Sequence, residues 1–88
     1  MKRPQADMKD VAKVQKELTD KIKSRLDKHG YGVFASGHEC IGIMTEEWQE
    51  LVDELHDNNP TGVESELYDV AVAAIWGIVS LNKAKNGK

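Results

Sequence analysis

Eighty-eight residues make one small domain, and an apolar share of 40% with 12 Lys+Arg against 15 Asp+Glu describes a soluble globular chain with a modest core. The formal net charge of -3 argues against a protein whose main work is gripping a nucleic-acid backbone. A single cysteine, Cys40, excludes an internal disulfide, and no Cys/His cluster has zinc-ligand spacing.

The opening Met1-Lys2-Arg3-Pro4-Gln5-Ala6-Asp7 leads into no apolar segment, so no signal peptide is expected. The longest apolar run, residues 70–81, is about half of what a bilayer span needs. The expectation is a cytoplasmic protein with neither a membrane nor a nucleic acid as partner. Charge is uneven along the chain: the first 28 residues and the tail are lysine-rich, and the middle is acidic. A basic rim could therefore meet phosphates while an acidic centre holds metal.

From about Asp7 to His29, the residues Val11, Val14, Leu18, Ile22 and Leu26 recur at steps of three and four, the period of a helix with one apolar stripe. Gly30 after Lys28-His29 is the expected stop, with basic residues where the helix dipole favours them. Lys13, Lys16, Lys21, Lys23 and Arg25 leave this stripe in several directions; most are ordinary solvated charges, and Lys16 and Arg25 are weak candidates for phosphate contact.

Residues 30–36 read as a loop, and their two glycines form neither a P-loop nor a GxGxxG fingerprint. Tyr31 and Phe34 are expected to pin it to the helices. Ser36-Gly37-His38-Glu39 has the form of a capping box and opens a second helix running to about His56. Its apolar face is read as Ile41, Met44, Trp48, Leu51, Val52 and Leu55. Glu46, Glu50 and Asp53 then fall nearly opposite that stripe, and Glu47 and Glu54 lie at its border. Asp57-Asn58-Asn59-Pro60 breaks the helix, and Thr61-Gly62-Val63-Glu64 reads as a second capping box at the head of a third.

Two acidic clusters sit near each other along the sequence on either side of this break: Glu46-Glu47-Trp48-Gln49-Glu50 before it and Glu66-Leu67-Tyr68-Asp69 after it. Within each, spacings of three or four put carboxylates about 5–6 Å apart on one helix face. If an αα-hairpin brings the clusters together, their repulsion calls for a cation, and oxygen ligands suit a hard divalent ion. The third helix is apolar almost all round over residues 70–81, so three helices cannot bury it, and self-association into a dimer or tetramer is expected. The fold expected is thus all-α: an antiparallel bundle of about three helices per chain, completed by oligomerisation, as a single domain over 1–88 with flexible ends at about 1–6 and 83–88.

The order Glu-Glu-x-x-Glu, then Glu-x-x-Asp, then an apolar helix resembles the signature of the all-α nucleoside triphosphate pyrophosphohydrolases, the MazG-like superfamily, across roughly residues 30–79. The segment His29-Gly30-Tyr31-Gly32-Val33-Phe34-Ala35-Ser36-Gly37-His38-Glu39 is similar to the entry loop of small stand-alone members, many from phages and prophages. The resemblance implies Mg2+, with Mn2+ as a substitute, held by Glu47, Glu50, Glu66 and Asp69. It implies hydrolysis of a nucleoside triphosphate to a monophosphate and pyrophosphate. Glu46 is the nearest candidate to activate the attacking water; His38 and Trp48 are weak candidates for substrate contact, and Cys40 and Trp76 read as core. The chain lacks the Trp- and Asp-containing motif of the longer MazG proteins, and Tyr68 stands where many members have Gly. Two alternatives stay open: a non-catalytic helical oligomerisation module, or a hydrolase of the same fold acting on another pyrophosphate compound such as phosphoribosyl-ATP.

Overall fold

A computed structural model describes residues 3–85, and among them all the regular secondary structure is α-helical, with no strand. Helix α1 is Met8–His29, α2 is Gly37–His56 and α3 is Pro60–Lys85. The described chain divides after Tyr31 into two compact units, the first carrying α1 and the second α2 and α3. Helix α3 runs three residues into the stretch expected to fray, and residues 1, 2 and 86–88 lie outside the described residues.

In the first unit, Asp7 caps α1. Its Oδ1 accepts from the backbone N–H of Lys9 and Asp10, and Asp10 Oδ2 accepts from the N–H of Asp7 at 2.9 Å. This reciprocal box uses aspartate at both ends and stabilises the helix start by about 1 kcal/mol. Gly30 ends the helix at φ 91°, a conformation that favours a residue without Cβ, and donates to the carbonyl of Leu26. Tyr31 is exposed, and its hydroxyl donates to Asp27 Oδ1 at 3.0 Å, tying it to the last turn of its own helix. That hydrogen bond, with the charge of Asp27, raises the Tyr31 pKa above the usual 10.0. Along the stripe, Val11 and Val14 are exposed while Leu18, Ile22 and Leu26 are half-buried.

In the second unit, α2 and α3 pack against each other across the turn at residues 57–59. Ser36 caps α2 as expected, its Oγ accepting from the N–H of Glu39. Glu39 departs from the expected box: its Oε1 accepts from the N–H of Ala35, one residue before the cap. Helix α3 starts two residues earlier than the Thr61 reading, because Asn59 is its cap. Asn59 Oδ1 accepts from the N–H of Gly62, its carbonyl takes the first intrahelical bond from Val63, and Pro60 occupies the first helical position, where its missing N–H costs nothing. The Asn59 Nδ2 donates to Glu54 Oε2 at 2.9 Å, which locks the cap to the end of α2. A Cβ at Gly62 would collide with that Glu54 carboxylate, so the lock and the glycine belong together.

The loop before α2 is fastened to α3 by polar side chains more than by its aromatics. The Trp76 indole N–H donates to the carbonyl of Gly32 at 3.0 Å. Ser80, which is buried, accepts from the N–H of Phe34 at 2.9 Å and donates to the Trp76 carbonyl at 2.8 Å. The buried positions of α3 are Val72, Ala73, Gly77 and Ser80, mostly small residues that let α2 approach closely. At Gly77 an added Cβ would come within 2.7 Å of Cys40 Sγ.

The packing face of α2 is rotated from the one expected. Its half-buried residues are Cys40, Ile43, Met44, Glu47, Leu51, Val52 and Glu54, whereas Ile41, Trp48 and Leu55 are exposed. Trp48, read from the sequence as core, is 59% exposed. The physical reason is the partner: α3 offers small side chains, so α2 presents the side bearing Cys40 at the point of closest approach. The α3 helix is also long and apolar enough to cross a bilayer by length and composition alone, with a mean hydropathy of 1.2.

Candidate metal centre

Two contacts set the register of the α2–α3 pair. Cys40 lies against Gly77 and Glu54 against Gly62, so the numbers of facing residues add to 117 or 116. That register puts Glu47 opposite Asp69 and Glu50 opposite Glu66. The rotation of α2 then aims Glu47 at α3, and one carboxylate oxygen from each of Glu47, Glu50, Glu66 and Asp69 lies within 4.8 Å of the others. Glu47, Glu66 and Asp69 are half-buried, and Glu50 is exposed at the open edge.

Four carboxylates so close cannot all be ionised without cost. Unit charges at that separation repel by about 1 kcal/mol per pair in water and by roughly 3 kcal/mol at the effective dielectric of a protein surface. The strain falls on Glu66. Burial is the main cause of its pKa rising from 4.5 to about 7, followed by the charges of Asp69 and Glu50, a hydrogen bond with Glu50 and the charge of Glu47. Glu66 Oε2 is buried and has no hydrogen-bond partner. A buried carboxylate oxygen left in this state is costly, and a cation at the cluster removes the cost. The donors are oxygens alone, without imidazole or thiolate, which fits Mg2+ or Mn2+ in preference to zinc or copper.

The other sequence candidates on α2, Glu46, His38 and Trp48, are not gathered with these four. Glu46 is exposed on α2; a step of four residues places it about 40° from Glu50 around the helix, one turn nearer the N-terminus. His38 is exposed in the first turn of α2. Trp48 points about 160° away from Glu50. Lys16 and Arg25 lie on α1 in the other unit, where Lys16 Nζ pairs with Asp20 Oδ2 at 3.3 Å on a solvated surface. Sequence reasoning missed the Glu54–Asn59 lock and the Ser80–Trp76 latch. The first was concealed by a competing cap pattern at Thr61, and the second spans 46 and 44 residues of chain.

No protein-family model matches the chain, and no curated protein or solved structure matches it either.

Proposed function

We propose that the chain is a Mg2+-dependent nucleoside triphosphate pyrophosphohydrolase of the MazG-like kind, working as an antiparallel helical bundle completed by self-association. The observation that carries this is the convergence of Glu47, Glu50, Glu66 and Asp69 within 4.8 Å, around a buried Glu66 oxygen that lacks a partner. These four carboxylates would hold the ion. When bound, Mg2+ neutralises charge on the phosphate oxygens. Glu46, on the open edge beside Glu50, accepts the proton of the water that attacks the α-phosphorus. The half-buried Glu47, Glu66 and Asp69 fix the ligand geometry from two packed helices, and exposed Glu50 leaves the edge accessible to substrate.

A panel of nucleoside triphosphates with pyrophosphate detection tests the reading. Release of pyrophosphate that depends on Mg2+ and disappears in Glu50→Gln and Asp69→Asn supports it. Release from phosphoribosyl-ATP alone assigns the same site to that substrate class. Absence of both release and divalent-ion binding leaves the assembly-module reading, which the exposed apolar residues of α2 and α3 favour.

A further inference from the structure

Asn59 ties the end of α2 to the start of α3 with every hydrogen-bonding group it has. Its backbone N–H and its Nδ2 donate to the carbonyl and to Oε2 of Glu54, at 3.2 Å and 2.9 Å. Its carbonyl and its Oδ1 accept from the N–H groups of Val63 and Gly62, at 2.9 Å and 3.2 Å. Asn58, at φ 53°, supplies the left-handed step that turns the chain back between the two helices, a conformation asparagine tolerates.

This tie stands in step with the carboxylate cluster on both helices. Glu54 follows Glu50 by four residues and Glu47 by seven; Gly62 precedes Glu66 by four and Asp69 by seven. Four residues are about one turn, a rise of roughly 6 Å, and seven are about two; each of the four carboxylates then lies within about 40° of the tie around its own helix. The contact of Cys40 with Gly77 lies on the other side of the cluster. Between these two points, four carboxylate oxygens within 4.8 Å of one another push α2 and α3 apart, and the tie at the turn opposes them. Glu54 and Glu47 are the half-buried acids of α2; Glu47 joins the cluster, whereas Glu54 is engaged by Asn59.

We propose that Asn59, Glu54 and Gly62 form a positioning device for the carboxylate centre, fixing α3 against α2 at the level of Glu50 and Glu66 and so fitting the centre to a small octahedral ion. The inference rests on the metal reading given above and names residues that tune the same site without touching the ion. Mg2+ demands near-ideal octahedral oxygens at about 2.0–2.1 Å, whereas Ca2+ accepts irregular sets at about 2.3–2.6 Å. A loosened register therefore weakens Mg2+ more than Ca2+.

Substitutions at these positions separate geometry from charge and from helix stability. Gly62→Ala sets a methyl against the Glu54 carboxylate and the Asn59 amide. The flexible carboxylate yields and the bond opens, with no change of charge and at a position where alanine favours the helix. Asn59→Asp keeps an equally good α3 cap but turns an anion toward Glu54. Its added negative charge would by itself tighten the binding of any cation, so a loss of Mg2+ affinity there is geometric. Combining Asn59→Asp with Glu54→Gln exchanges donor and acceptor and restores the bond at the wild-type net charge.

Isothermal titration calorimetry of the full chain with Mg2+ and with Ca2+ tests the proposal, with urea midpoints taken in chelator. Gly62→Ala and Asn59→Asp are each expected to weaken Mg2+ binding by roughly 10-fold, and Ca2+ binding by much less. The double variant is expected to recover the Mg2+ affinity. A purely structural tie would move the urea midpoints and leave both affinities of the folded variants at the wild-type level, which overturns the proposal. Equal losses for Mg2+ and Ca2+, or a double variant no tighter than Asn59→Asp alone, overturn it as well and leave the metal centre standing. A wild-type chain that binds neither ion overturns the metal reading, and the positioning role with it.

Discussion

Replacing Glu66 by Gln isolates the electrostatic cost of the carboxylate cluster. In the folded chain this group titrates at about 7 instead of 4.5. A raised carboxylate pKa means that the protonated form stabilises the fold: the contribution is fully present below pH 4.5 and is lost as pH rises through about 7. Unscreened, the difference is worth roughly 3 kcal/mol; water at the exposed Glu50 edge reduces it to on the order of 1 kcal/mol. One kcal/mol moves the Tm of a domain this size by about 4–8 °C. In chelator, therefore, Glu66→Gln and wild type should melt together near pH 4.5, and the variant should melt about 4–8 °C higher at pH 8. Added Mg2+ reverses the order. An ion at a hundred times its Kd stabilises wild type by about 2.7 kcal/mol, or roughly 10–20 °C, and the variant by much less. Below pH 7 the ion must displace the Glu66 proton, so its apparent affinity should weaken as pH falls. Circular-dichroism melts at fixed protein concentration measure all of this. Superimposable wild-type and variant Tm profiles from pH 4.5 to 8, with and without Mg2+, would refute the reasoning.

Other predictions concern the packing that holds the cluster in place. Ser80→Ala leaves the Phe34 N–H without its acceptor and should destabilise by about 1–3 kcal/mol in urea unfolding; an unchanged midpoint would mean that the loop needs no latch. Gly77→Ala pushes a methyl onto Cys40 Sγ and should cost about 1–3 kcal/mol, much of it regained in a Cys40→Ala background. Purely additive effects in that double-mutant cycle would place the two residues out of contact. Asn59→Ala removes both the α3 cap and the bond to Glu54, and should cost about 1–2 kcal/mol. Thr61→Ala, at the cap position suggested by the sequence, should be nearly silent in the same melt.

Much of the secondary structure was legible because it is local chemistry. The 3.6-residue period of Val11, Val14, Leu18, Ile22 and Leu26, the Gly30 stop and the Ser36 cap each depend on neighbours within four residues. The apolar character of α3 was likewise plain in the sequence. Competition between local signals was harder to resolve: Asn59 and Thr61 both offer a cap, and the bond from Asn59 to Glu54 on the preceding helix decides for Asn59. The stripe on α2 misled for a related reason. Counting large side chains chose Ile41, Met44, Trp48, Leu51, Val52 and Leu55 as the inner face, whereas the close approach of Cys40 to Gly77 keeps Met44, Leu51 and Val52 half-buried, turns Cys40 and Glu47 in with them and leaves Ile41, Trp48 and Leu55 exposed.

By itself the sequence determined that this chain forms helices, where they start and stop to within about three residues, and which acidic types are spaced to share a face. These properties follow from backbone hydrogen bonding and periodicity, which act over a few residues. Only the tertiary structure decided that Glu47 turns inward and meets Asp69, Glu50 and Glu66 across the helix pair, and that Trp48 is left outside. Rotation of one helix against another is set by the shapes in contact, and Gly77, which governs it on α3, lies 37 residues along the chain from its partner Cys40 on α2.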